Sequence, residues 1–86
     1  MRRNVKKHAL KIIRAMYSYG FTYQEISDIF DLSLGQTGNY LRKGSKPNAK
    51  TALKISEIFK NIPATKRFPK KTKEAVKSIQ EDLTGN

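Results

Sequence analysis

Apolar residues recur every three or four positions along most of the chain, which is the spacing of one face of an α-helix. The pattern predicts no strand and five helices, over residues 4–19, 22–30, 33–43, 48–61 and about 72–83. The longest uninterrupted apolar runs are two residues, as at Ile12 and Ile13, so no membrane span is expected. The fold class predicted from this pattern is therefore all-α, a bundle of four to five helices.

Two helix starts, at Thr22 and Ser33, lie eleven residues apart. Glu25 follows Thr22 by three residues, and Gln36 follows Ser33 by three. This is the spacing of a capping box, in which the side chain of each residue satisfies a backbone N–H of the other. Because only two residues separate the second start from Phe30, the last apolar residue of the first helix, the pair describes a helix-turn-helix.

The helix predicted over residues 33–43 ends with Arg42 and Lys43, two cations that suit a helix C-terminus. Gly44 follows them and can adopt the left-handed conformation that caps a helix. The next helix has Asn48 as its expected N-cap, and Pro63 ends it. The boundaries of the pair and of its neighbour are therefore well defined.

The four helices before residue 64 share enough apolar residues to form one core. The expected core residues are Ile12, Ile13, Met16, Ile26, Phe30, Leu32, Tyr40, Leu41, Ile55 and Phe59. Residues 1–63 are therefore interpreted as a helix-turn-helix domain. Residues 64–86 are interpreted as a basic linker, from Ala64 to Lys71 and containing Pro69, followed by a C-terminal helix.

The C-terminal helix has a narrow apolar stripe that cannot stabilise it alone. The stripe consists of Ala75, Val76, Ile79 and Leu83. Two interpretations remain open for it: a lid on the domain's own core, or a contact between the two copies of a homodimer.

Composition narrows the function. The 86 residues include 18 Lys and Arg against seven Asp and Glu, which gives a net charge of +11 and favours a polyanion such as nucleic acid. Acidic proteins and anionic lipid are the alternative partners. No cysteine is present, which suits the cytoplasm, and His8 is the single histidine. We therefore expect no metal, no cofactor, no catalytic constellation and no enzymatic activity.

The charges are unevenly distributed. Residues 2–19 carry six cations and no acid, and Arg2, Arg3, Lys6 and Lys7 among them could form a basic arm along DNA or a solvated terminus. Residues 22–31 carry three acids and no base. Four cations then follow within residues 42–50. The first helix of the pair is thus acidic, whereas its surroundings are basic.

Three strings in residues 10–60 carry a family resemblance: GFTYQEISDIFDLS, then YLRKG, then SKPNAKTALKISEIF. They resemble the lambda-repressor-like helix-turn-helix family of phage repressors, Cro proteins and their bacterial relatives. Asp31 stands where the family usually has glycine, Thr37 where it commonly has Ile or Val, and the span to Gly44 is about one residue longer. The string YQEISDIFDLS is also similar to homeodomain-like and sigma-factor-like helix-turn-helix proteins.

The resemblance implies that the start of the helix over residues 33–43 enters the major groove of DNA. A carboxamide such as that of Gln36 or Asn39 can pair with adenine, Leu34 can contact a thymine methyl group, and Arg42 can reach guanine or phosphate. The expected base-contact residues are Ser33, Leu34, Gln36, Asn39 and Arg42. Gly35 and Gly38 weaken this helix, so either a partner backbone approaches them closely or they allow helix packing.

Phosphate contacts are expected on both sides of this helix. Tyr23 and Gln24 match positions at which the family commonly binds the DNA backbone, at a helix N-terminus that favours an anion. The full set of expected phosphate contacts is Tyr23, Gln24, Lys43, Ser45, Lys46, Asn48 and Lys50.

These features predict a sequence-specific double-stranded DNA-binding transcriptional regulator of the phage-repressor or Cro type. We expect it to bind an inverted repeat as a homodimer, in the cytoplasm of a bacterial or phage-infected cell and associated with the nucleoid. Three alternatives remain open: an architectural or recombination protein, an RNA-binding protein, and a phage or mobile-element protein that binds a host protein such as RNA polymerase.

Overall fold

The computed structural model of the protein describes residues 4–84. Its five α-helices are α1 (Val5–Tyr19), α2 (Tyr23–Phe30), α3 (Leu34–Gly38), α4 (Ala49–Asn61) and α5 (Lys70–Thr84). No strand occurs within the described residues, and the helices pack into one bundle, so the all-α prediction is confirmed. The first four helices begin within a residue of the predicted positions. Thr22, Ser33 and Asn48 cap α2, α3 and α4 as expected, and Asn4 caps α1.

Local hydrogen bonds fix the starts of α2 and α3. The hydroxyl of Thr22 accepts the Glu25 N–H at 3.1 Å, and the Glu25 carboxylate accepts the Thr22 N–H at 2.8 Å. Ser33 and Gln36 make the same reciprocal pair at 3.0 and 2.9 Å. Both predicted capping boxes are therefore confirmed, and each cap stabilises its helix by about 1 kcal/mol.

The turn between α2 and α3 contains a left-handed residue. Asp31 has φ 56° and ψ 52°, and it is the one non-glycine residue with positive φ in the described part of the chain. The left-handed region costs most residues roughly 1–2 kcal/mol, but aspartate visits it more readily than most. The Lys54 ammonium of α4 donates to the Asp31 carbonyl at 2.9 Å, which ties the turn to the bundle.

The core lies between α1, α2 and α4, with α1 packed along α4. Nine of the ten predicted core residues are buried, and Leu41 is half-buried against the core. Phe30, Ile12 and Ile13 are fully buried. The core also includes residues outside that set of ten, among them Leu10, Ile29, Ala52 and Ile62.

Helix α5 belongs to the same core. It packs on α1 and on the 3₁₀ turn Ile62–Ala64, and Val76 and Ile79 are 0% and 3% exposed. The Gln80 amide donates to the Phe59 carbonyl at 2.9 Å. The apolar stripe of α5 therefore covers the domain's own core, which leaves Ala75, Val76 and Ile79 inaccessible to a second copy.

The linker expected over residues 64–71 is shorter than predicted at both ends. Ala64 lies in the 3₁₀ turn and α5 already begins at Lys70, so only residues 65–69 are irregular. Phe68 is partly buried against the core, with the Arg67 guanidinium 5.0 Å from its ring centroid. The segment is short because both of its ends are fixed by packing on the bundle.

Candidate nucleic-acid interface

Helix α3 continues without a break into one π-helical turn, Asn39–Lys43, which ends at Gly44. We call residues 34–43 together the α3 segment. Gly44 has φ 71°, the left-handed cap that the sequence predicted, and its N–H donates to the Asn39 carbonyl. A π turn closes over one more residue than an α turn. The wider turn therefore places one more residue before Gly44 than an α turn would.

A buried pair of hydroxyls joins the α3 segment to α2. Ser27 and Thr37 are 2% and 0% exposed, and their side-chain oxygens lie 2.7 Å apart. The Ser27 hydroxyl donates to the Tyr23 carbonyl at 2.8 Å. Because that bond uses the single proton of the Ser27 hydroxyl, we assign Thr37 as the donor in the pair. A directional bond thus replaces the apolar contact that Ile or Val at position 37 would make.

We expect Ser27→Ala to lower the free energy of unfolding by about 1–2 kcal/mol, because it leaves the buried Thr37 hydroxyl without its acceptor. The double variant Ser27→Ala with Thr37→Val removes both polar groups and should recover part of that loss. Urea unfolding of the two single variants and the double variant measures the coupling. Strictly additive losses would contradict the assigned hydrogen bond.

The five expected base-contact residues are all exposed: Ser33 is the N-cap of α3, and Leu34, Gln36, Asn39 and Arg42 lie in the α3 segment. Thr37 and Tyr40 lie on the opposite, buried side, and Leu34 is 51% exposed. Burial raises the pKa of the Tyr40 phenol above its ordinary value, and a hydrogen bond with Gln36 opposes that shift. The segment is therefore held by its inner side, whereas its outer side presents hydrogen-bonding groups.

The two carboxamides on this outer side, those of Gln36 and Asn39, differ in the hydrogen bonds that they already make. The Gln36 oxygen accepts the Ser33 N–H in the capping box, and the Gln36 side chain also bonds to Tyr40. Within the described residues, no hydrogen bond engages the Asn39 carboxamide. Asn39 can therefore turn both its donor and its acceptor toward a partner, whereas Gln36 must first share or break its cap.

The two glycines of the α3 segment have different surroundings. A methyl group added at Gly35 would meet nothing closer than the Ser33 hydroxyl at 3.9 Å. At Gly38 the same methyl group would lie 3.0 Å from the terminal nitrogen Nη2 of Arg42. The Arg42 guanidinium therefore lies back over the helix and covers Gly38, which is buried although it belongs to an exposed segment.

The expected phosphate contacts flank the α3 segment, and all are exposed except Tyr23, which is half-buried. The Tyr23 ring packs edge-on against Tyr17 with their centroids 5.3 Å apart. The Gln24 amide donates to the Asp28 carboxylate at 3.0 Å, so it is turned away from the helix N-terminus. Asn48 caps α4 by accepting the Thr51 N–H at 2.8 Å, which leaves its amide donor for a phosphate.

One further cation, which sequence spacing did not identify as a contact, reaches this surface. Arg14 of α1 is exposed, and its Nη2 lies 3.6 Å from the position of a methyl group added at Gly44. Its charge thus stands at the C-terminal end of the α3 segment, where carbonyl groups favour a cation. Thirty positions separate Arg14 from Gly44, so no local pattern could reveal this proximity.

Compared with models of known protein families, with curated proteins and with solved structures, the chain has no match. In residues 4–84, no three His, Asp or Glu side chains form a group able to hold a metal ion. No helix of that range is long and apolar enough to cross a membrane. Of the basic arm expected at Arg2, Arg3, Lys6 and Lys7, the two arginines lie outside the described residues, whereas both lysines lie in the first turn of α1. The described residues thus form an all-α bundle in which the α3 segment exposes polar side chains, with exposed lysine and arginine side chains beside it.

Proposed function

We propose that this protein is a cytoplasmic, sequence-specific double-stranded DNA-binding transcriptional regulator of the phage-repressor or Cro type. The α2–α3 pair serves as its helix-turn-helix, and the α3 segment lies in the major groove. One observation carries the proposal: the N-cap Ser33 and four exposed side chains of the α3 segment are suited to base edges, while Thr37 and Tyr40 anchor the inner side of the segment.

Base reading depends on Asn39 and Arg42 in this proposal. A carboxamide pairs with adenine through one donor and one acceptor, and a guanidinium pairs with guanine through two donors. Gln36 contributes a contact through its amide nitrogen, because its oxygen already accepts the Ser33 N–H. Leu34 supplies an apolar contact for a thymine methyl group.

Phosphate binding depends on the cations around the α3 segment. Lys43, Lys46 and Lys50 are exposed, and Lys43 ends the segment while Lys50 lies in the first turn of α4. Backbone N–H groups at the start of α2 favour an anion, although the Glu25 carboxylate occupies one of them. Contacts of this kind fix orientation and contribute affinity for any DNA sequence.

Homodimerisation remains part of the proposal. Because the apolar stripe of α5 is buried in the domain's own core, the two copies must meet at another surface. We propose the groove beside Leu53, which has a volume of about 730 Å³ and lies between α1, α4 and α5. Leu53 is 56% exposed and one helical turn after Lys50, so the groove borders the proposed DNA surface. Acidic and basic side chains both line it, namely Glu57, Glu81, Lys60 and Lys77.

Mixed charges favour a second copy of this chain as the occupant of the groove. In a twofold contact, each acid on one copy can face a base on the other. The net charge of +11 makes two copies of the chain repel each other, so a surface of mixed charge is the more favourable place for them to meet. We expect Leu53→Lys to weaken self-association on an inverted repeat at least about tenfold, measured by sedimentation with DNA present. An unchanged stoichiometry in Leu53→Lys would remove this groove from the proposal.

A selection from random duplex DNA tests the function, followed by salt titrations on the selected site and on a scrambled control. We expect an inverted repeat with half-sites about one helical turn apart, bound at least roughly a thousandfold tighter than the control. Lys46→Ala and Lys50→Ala should weaken binding to both DNAs, and each should reduce the salt slope by about 0.9.

Other outcomes of this selection identify the alternatives. A steep salt dependence without an enriched sequence would indicate an architectural or recombination protein. Failure to bind duplex DNA at moderate salt would contradict the proposal and turn attention to RNA. A third outcome is that the purified protein carries no nucleic acid and binds a host protein such as RNA polymerase equally well at low and high salt. That result would indicate a protein-binding factor.

A further inference from the structure

We propose that Gly38 is a specificity-determining residue, because it provides the space in which the Arg42 guanidinium lies ready to pair with a base. This inference rests on the proposed function and adds a residue that makes no base contact itself. It gives Gly38 a positioning role within the α3 segment.

The contact between Gly38 and Arg42 involves the flat guanidinium group. A methyl group at Gly38 would lie 3.0 Å from Nη2 of Arg42 and 3.7 Å from both its Cζ and its Nε. Nη2 is the nearest of these three atoms, so the guanidinium presents its Nη2 end to Gly38. The Arg42 residue as a whole is nevertheless exposed.

Backbone geometry does not explain the glycine. Gly38 has φ −60° and ψ −42°, an ordinary right-handed helical conformation that any residue can adopt. Glycine inside a helix is unfavourable relative to alanine, because it loses more freedom on folding. The nearest neighbour of this position is the end of the Arg42 side chain, which a methyl group at residue 38 would displace by a few tenths of an ångström.

Placement of the guanidinium before binding has a consequence for recognition. An arginine that lies along its own helix has fewer conformations to lose when it pairs with a base, which favours a bidentate contact with guanine. A side chain at position 38 sets the guanidinium free or displaces it. We therefore expect a change at position 38 to act through Arg42 on the preference at one base pair.

Gly35 provides a matched control for Gly38. Both glycines lie in α3, but a methyl group at Gly35 would make only an ordinary contact, 3.9 Å from the Ser33 hydroxyl. Gly35→Ala and Gly38→Ala should therefore raise helix stability similarly, and only Gly38→Ala should disturb Arg42. A partner backbone that approached the helix closely would make Gly35→Ala harmful as well.

The test measures binding of Gly38→Ala, Arg42→Ala, the double variant and Gly35→Ala to the selected site and to sites changed at each base pair. We expect Gly38→Ala to weaken cognate binding about tenfold and to flatten the preference for one guanine, with no further loss in the Arg42→Ala background. Nitrogen-15 relaxation of the Arg42 side-chain Nε in free protein should report greater motion in Gly38→Ala than in Gly35→Ala.

Different results would overturn the positioning role of Gly38 and the proposed DNA-binding function. Equal losses from Gly38→Ala with and without Arg42 would mean that DNA itself approaches Gly38, and this would overturn the positioning role alone. Unchanged specificity in Gly38→Ala would do the same. Absence of any enriched sequence for the unaltered protein would overturn both the inference and the proposed function.

Discussion

Asn39→Ala is expected to weaken binding to the selected DNA site by about tenfold to a hundredfold, because a good carboxamide pair with adenine contributes about 1–3 kcal/mol of discrimination. Its carboxamide makes no hydrogen bond with the rest of the described chain, so truncation should leave folding almost unaffected. Binding to scrambled DNA depends on phosphate contacts and should change little. Titrations on both DNAs, with urea unfolding of the free protein, measure these effects.

Gln36→Ala is the matched comparison for Asn39→Ala. It removes the capping partner of Ser33 and the hydrogen-bond partner of Tyr40, so it should lower stability as well as affinity. Losses at Asn39 that are equal on cognate and scrambled DNA would contradict the assignment of the α3 segment to the major groove. If the affinity lost in Gln36→Ala is fully explained by the larger unfolded fraction of that variant, the role of Gln36 is to cap the helix.

Ile79→Ala is expected to lower the free energy of unfolding by about 2–5 kcal/mol, the range for truncating a buried isoleucine. Ile79 is 3% exposed and packs in the core between α5 and the rest of the bundle. A loss of this size would unfold much of a marginally stable domain. Thermal and urea unfolding at several protein concentrations measures it.

Ser78→Ala is the control for Ile79→Ala, because Ser78 is the exposed neighbour on the same helix. We expect a change within about 0.5 kcal/mol for this surface position. If the stripe of α5 joined two copies of the chain, the effect of Ile79→Ala would depend on protein concentration. Independence of concentration is the result expected for a lid on the domain's own core.

Three local features of the α2–α3 region have identifiable physical causes in the fold. Asp31 adopts the left-handed conformation for which glycine would be the easier residue. Thr37 exchanges an apolar contact for a hydrogen bond with Ser27. The π turn over Asn39–Lys43 takes up one extra residue before Gly44. Asp31 and the π turn are thus accommodated locally, whereas Thr37 depends on Ser27, ten residues earlier in the chain.

The exposed positions of the candidate site follow from the sequence, since the pattern that turns Thr37, Tyr40 and Leu41 inward leaves Leu34, Gln36, Asn39 and Arg42 exposed. Their hydrogen bonds do not follow from it. The bonds of Gln36 to Ser33 and Tyr40 and of Gln24 to Asp28 depend on rotamers. Periodicity specifies which side of a helix a residue occupies, but it does not specify which neighbour its polar atoms meet.

Sequence by itself determined the helices, their caps and the positive charge of this protein, because these depend on residues no more than four positions apart or on simple sums. Tertiary structure decided that α5 joins the core, that Arg14 reaches Gly44, and that Ser27 and Thr37 form the buried bond between α2 and α3. Such contacts depend on how whole helices pack, and residues distant in the chain become neighbours only when the core has formed.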